Sequence, residues 1–75
     1  MIILKIIDRK NCNPISGVKV TVHFRGLLRG YAEGTTNWDG EVQFDNDPGE
    51  AYVYVKGNEV YHGRVEGYKT IPINY

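Results

Sequence analysis

The side chains able to do chemistry are few: Cys12, His23, His62, Arg25, Arg64 and an acidic turn from Asp45 to Glu50. A zinc centre draws two ligands from one short stretch of chain. Cys12, His23 and His62 have no such spacing, and the strands between the two histidines are expected to hold them apart by most of the fold. Cys12 stands in a polar loop near Lys10 without a histidine close in sequence, so no local base would generate its thiolate, and it reads as a bystander thiol. The run Asp45-Asn46-Asp47-Pro48-Gly49-Glu50 has the oxygen density of a calcium loop. Its glycine falls one position before the one where such a loop bends, and no glutamate follows at the closing position; a turn held by Asx hydrogen bonds accounts for it. The sequence thus assigns no catalytic residue, no metal ligand and no cofactor.

The aromatic residues are the remaining candidates. Tyr52, Tyr54, Tyr61 and Trp38 are of the types that protein interfaces favour. Trp38, like Tyr31, falls in a turn or loop. The Gly57-Asn58 pair is a two-residue hairpin signal, and it predicts a register in which Lys56 faces Glu59, Val55 faces Val60, Tyr54 faces Tyr61 and Val53 faces His62. Ala51, Val53, Val55, Val60, His62 and Arg64 would then turn to the core, His62 at its rim. Tyr52, Tyr54 and Tyr61 would form a cluster on the outside. The partner implied is another protein or a second copy of the chain.

Positioning these residues falls to strands. No stretch has the helical apolar spacing, and 9 glycines interrupt the chain too often for an ordinary helix. Ile2 to Asp8 is apolar on both sides, the mark of a strand covered on both faces or of an edge that recruits another strand. Val18, Val20, Val22 and Phe24 alternate with polar residues as a half-buried strand does. Residues 25 to 34 read as a loop plus one short strand, in which the adjacent Leu27 and Leu28 cannot both point inward. Glu41 to Asp45, Ala51 to Lys56, its hairpin partner, and Lys69 to Asn74 complete seven strands; Pro72 marks an edge or a bulge. The expectation is an all-β, seven-stranded antiparallel β-sandwich without helix, one domain over residues 1–75.

Composition narrows the partners. At 75 residues folding buries only about 60% of the chain's surface, and one cysteine supplies no intramolecular disulfide to help. Nine Lys+Arg against nine Asp+Glu leave no net charge, which argues against a nucleic-acid partner. The cluster Lys19, His23, Arg25 and Arg29 reads as a solvated face. No run approaches the roughly 18 apolar residues of a membrane span. Residues 1–8 carry Lys5 and end at Asp8, so they read as a strand rather than a signal peptide. A native Met1 would favour the cytosol; an excised domain of a secreted protein would be extracellular.

The segment from Asn13 to Val20, with Thr35 to Phe44 and then Pro48-Gly49, resembles carboxypeptidase regulatory-like domains, which have a prealbumin-like, immunoglobulin-like fold. The shared pattern is Pro-x-x-Gly-x-x-Val at Pro14, Gly17 and Val20, and Thr-x-x-x-Gly-x-x-x-Phe at Thr36, Gly40 and Phe44, followed by the Pro-Gly turn. The resemblance implies a non-catalytic accessory or recognition module. Two related groups imply alternatives. Transthyretin-like hydrolases share the fold but end in Tyr-Arg-Gly-Ser, where this chain ends Ile71-Pro72-Ile73-Asn74-Tyr75; their activity would need a pocket joining a histidine to Arg25 or Arg64. Adhesin B-type domains carry a Lys–Asn isopeptide staple, for which Lys5 and Asn74 are the positional candidates.

Overall fold

A computed structural model describes residues 1–26 and 30–75, so the expectations for Leu27, Leu28 and Arg29 lie outside the described residues. Seven strands and no helix occur among these residues: β1 (Ile2–Asp8), β2 (Lys19–Phe24), β3 (Tyr31–Thr35), β4 (Glu41–Phe44), β5 (Gly49–Val55), β6 (Asn58–Val65) and β7 (Gly67–Ile73). They form two sheets, a three-stranded one in the order β4-β1-β7 and a four-stranded one in the order β3-β2-β5-β6. Alternation does the sorting. Ile2, Leu4 and Ile6 of β1, Val20 and Val22 of β2, and Val53 of β5 are fully buried between the sheets, with Phe24, Val42, Phe44, Ile71 and Ile73 around them.

Three expectations are corrected. Of the two readings of β1, covered on both faces or an edge, the edge is excluded: β1 is the centre of its sheet, and its second row, Ile3, Lys5 and Ile7, is half-buried. Its pairing with β7 is parallel, with Ile2 opposite Gly67 and Asp8 opposite Ile73, so the sandwich is not wholly antiparallel. The cause is the crossing at Glu66, where the chain leaves β6 for the other sheet and enters it in the direction of β1. This register also separates the isopeptide candidates. Lys5 lies opposite Thr70, four residues short of Asn74, which is roughly 13 Å at the rise of a parallel strand. Lys5 also points away from the core, toward the row of Glu41, so the apolar setting such a bond needs is absent.

The third correction is the hairpin. Its turn is Lys56-Gly57, with φ of 53° and 84°, so Val55 faces Asn58. Counting straight on from that turn would set His62 opposite Ala51 and Arg64 opposite Gly49, two polar side chains aimed at the core. A bulge at Val60 prevents it: Tyr54 faces Glu59, Val53 faces Tyr61, Tyr52 faces His62 and Gly49 faces Val65. Val65 is fully buried as a result.

One knot joins the loop before β2 to the turn before β4. Thr36, the buried polar side chain among the described residues, donates its hydroxyl to the Ile15 carbonyl at 2.8 Å and accepts from the Val18 N–H at 3.1 Å. Next to it, the Asn37 side-chain oxygen accepts from the N–H groups of Asp39 and Glu41, and the Asn37 N–H donates to the Glu41 carbonyl. Gly40 closes this turn at φ +74°, its carbonyl accepting from the Ile6 N–H at 2.8 Å.

On the outside of the three-stranded sheet the Tyr68 hydroxyl donates to Glu41. That bond, with smaller contributions from desolvation and from the charges of Glu41 and Asp39, holds the Tyr68 phenol above its ordinary value of 10.0. A raised phenol favours the fold below pH 10 and withdraws that contribution as the pH climbs through the folded value. Ultraviolet titration of the parent against Tyr68→Phe should therefore place the Tyr68 ionisation above pH 10, and Glu41→Gln should lower it. An unchanged late transition in Glu41→Gln would refute the assignment.

Candidate functional site

The outer face of the four-stranded sheet carries an aromatic row. In the registers of β2 with β3 and β5, and of β5 with β6, Tyr31 lies opposite His23, His23 opposite Tyr52, and Tyr52 opposite His62. Four rings thus cross all four strands. His23 stacks on Tyr31 with centroids 5.3 Å apart and 15° between planes, and meets Tyr54 edge-on at 5.5 Å. Tyr52 and His62 are 5.4 Å apart. Cross-strand aromatic pairs of this kind hold each other in place on a pleated surface, so the rings form a preset platform.

Charges frame it. The next row is Glu33, Thr21, Tyr54 and Glu59. Lys19 Nζ lies 3.3 Å from Glu33 and Arg64 3.3 Å from Glu66, both pairs largely exposed, and His62 Nδ1 is 3.8 Å from Glu59. Exposed pairs like these contribute about 0–1 kcal/mol to folding.

Of the residues expected to form an outer tyrosine cluster, Tyr52 and Tyr54 are half-buried on this face. Tyr61 is not with them. The bulge turns it inward beside Val53, its hydroxyl donates to the Arg64 carbonyl at 3.0 Å, and Lys69 Nζ sits 4.5 Å from its ring centre. It plugs the flank between β6 and β7. His62 takes the outer place instead, and the two histidines, expected far apart, share one row with Tyr52 between them. Neither histidine nor Tyr31 was singled out for this surface in the sequence; the period-two pattern Lys19-Thr21-His23 was the available signal.

Trp38 is elsewhere. It is 90% exposed at the tip of the Asn37–Gly40 turn, beyond the Thr35 end of β3, whereas Tyr31 begins that strand. An open groove of about 310 Å³ lined by Ser16, Gly17, Thr36 and Asn37 lies beside it.

Nothing here assembles a reaction centre from the residues named for one. Further open grooves of about 370, 330 and 320 Å³ lie on the rim, and none of the four is lined by His23, His62, Arg25 or Arg64. Among the described residues no three His, Cys, Asp or Glu side chains converge as metal ligands. Cys12 is exposed and unpaired. No helix among the described residues is long and apolar enough to cross a membrane. Compared with protein-family models, with curated proteins and with solved structures, the chain matches none.

Proposed function

We propose that this chain is a non-catalytic β-sandwich module, of the carboxypeptidase regulatory-like and prealbumin-like kind, that binds another protein across the outer face of its four-stranded sheet. The observation that carries this reading is the row Tyr31, His23, Tyr52 and His62 with Tyr54 beside it. Core burial does not explain these rings, since the inward row of the same strands already fills the interior. A rigid, partly exposed aromatic platform with a charged rim has the composition of an interface centre. The kinship rests on the turn pattern: Gly17 and Gly40 have positive φ, while Val20 and Phe44 are buried.

The test replaces Tyr52 and Tyr54 together by serine. These outer positions should cost the fold about 1 kcal/mol or less each, as strand propensity alone does. Interface anchors of this type are worth about 2 kcal/mol each, so partner affinity should fall by at least about 30-fold. Trp38→Ser, at the far end of β3, serves as the comparison and should leave that affinity unchanged. Equal partner capture by the double variant and the parent would remove the tyrosine face from consideration.

A further inference from the structure

A sheet ends in two edge strands whose outward N–H and C=O groups can pair with another chain, and folded proteins guard such edges. This sandwich has four edges: β4, β7, β3 and β6. Three of them are guarded in identifiable ways. On β4 the bond from the Ile6 N–H to the Gly40 carbonyl fixes the alternation, so Glu41 points its backbone outward; both of its groups are taken by Asn37. On β7 the Arg9 N–H bonds the Ile73 carbonyl, which sets Pro72 at an outward position where no N–H exists to offer. On β6 the bulge at Val60 and the Gly63 backbone, at φ +144°, break the straight run.

β3 has none of these devices. Its five residues contain no proline, no lysine and no bulge. The Phe24 N–H bonds the Gly30 carbonyl, so Gly30, Ala32 and Gly34 turn their backbones to β2, and Tyr31, Glu33 and Thr35 turn theirs outward. Three donors and three acceptors are thereby presented in strand spacing. The side chains of the same three residues stand on the aromatic face.

We propose that β3 receives an extended segment of a partner protein as a fifth, antiparallel strand, with a basic residue opposite Glu33 and an aromatic residue opposite Tyr31. This rests on the reading of the aromatic face as an interface and specifies how the partner enters it. Directly opposed residues of antiparallel strands share a face, so an aromatic residue opposite Tyr31 lengthens the ring row to five. Charge decides between a foreign segment and a second copy. Symmetric self-pairing that engages all three outward residues sets Glu33 opposite Glu33, two like charges directly facing, which is unfavourable. A lysine or arginine there makes the opposite-charge pair, sharing the Glu33 carboxylate with Lys19, whose Nζ lies 3.3 Å from it. Between these positions the segment presents an apolar residue opposite Ala32, which already packs against the core.

The probe is the capped peptide Ser-Thr-Val-Lys-Val-Tyr-Ser, titrated into the whole chain. Amide exchange at Tyr31, Glu33 and Thr35 should slow about tenfold or more at saturation, since outward N–H groups become bonded. Changing the peptide's Lys to Glu should weaken binding about tenfold, and Glu33→Lys in the protein should restore it. Glu33→Pro, which removes an outward donor together with the carboxylate, should abolish both. Unaltered exchange at those three amides, failure of the charge swap, or sedimentation showing self-association that Glu33→Pro removes would each overturn the proposal. Tyr52→Ser with Tyr54→Ser leaves the β3 backbone whole. Retained β3 protection in that variant, with partner affinity also unchanged, would defeat the face and spare the edge; lost protection only in Glu33→Pro separates the edge from the face.

Discussion

Gly40→Ala is expected to lower stability by about 3 kcal/mol. Two costs act together. At φ +74° an L side chain is in the left-handed region, worth roughly 1–2 kcal/mol. The added Cβ would also stand 2.7 Å from the Ile6 carbonyl oxygen, 3.0 Å from Pro14 Cβ and 3.1 Å from the Ile15 nitrogen. Two of these three are backbone atoms joined to each other by the Ile15 N–H to Ile6 carbonyl bond, so they cannot swing aside. Overpacking of this sort costs about 1–3 kcal/mol more. A chain of this size has about 4–11 kcal/mol in total, and each kcal/mol moves its midpoint by about 4–8 °C. Gly57→Ala separates the two costs. Gly57 has φ +84° with nothing within 4 Å, so its variant should show the conformational part alone. Equal melting points for the two variants would mean that the contact at Gly40 costs nothing.

Thr36→Val should cost about 2–4 kcal/mol although it preserves shape and removes only a hydroxyl. That hydroxyl serves two backbone groups at once, the Ile15 carbonyl and the Val18 N–H, in a place where water does not reach. Each buried group left unpaired costs about 1–3 kcal/mol. Thr36→Ser retains the oxygen and should recover most of the loss. In denaturant titration the valine variant should lose midpoint without losing slope, and the Val18 amide should exchange faster. A valine variant as stable as the parent would show that the loop before β2 does not depend on this residue.

Strand identity was legible because each strand's alternation is written in its own residues. Ile2 to Asp8 and Val18 to Phe24 could be read almost to the residue, and the Asn37-Trp38-Asp39-Gly40 turn announced itself by its Asn and Gly. The pairing of strands was less legible, since it depends on residues distant in sequence. Lys56-Gly57 and Gly57-Asn58 are both workable two-residue turns. What decides between them is that Val65 and Tyr61 must reach the interior while His62 and Arg64 must not, and only a bulge six residues before the strand crossing achieves that from the Lys56-Gly57 turn. The candidate face changed membership for the same reason: a shift by one residue exchanges the two sides of a strand, so Tyr61 left it and His62 joined. The parallel neighbour of β1 had no local signature at all.

That parallel neighbour gives the molecule a mechanical character. β1 begins at Ile2 and β7 ends at Ile73, side by side and pointing the same way. Tension applied between Met1 and Tyr75 therefore drags the two strands past one another along their length. Every rung from Ile2 with Gly67 to Asp8 with Ile73 then bears load at the same moment, as in a lap joint, whereas antiparallel neighbours pulled from one end would part rung by rung. The β4-β1-β7 sheet is a shear clamp across the ends of the chain.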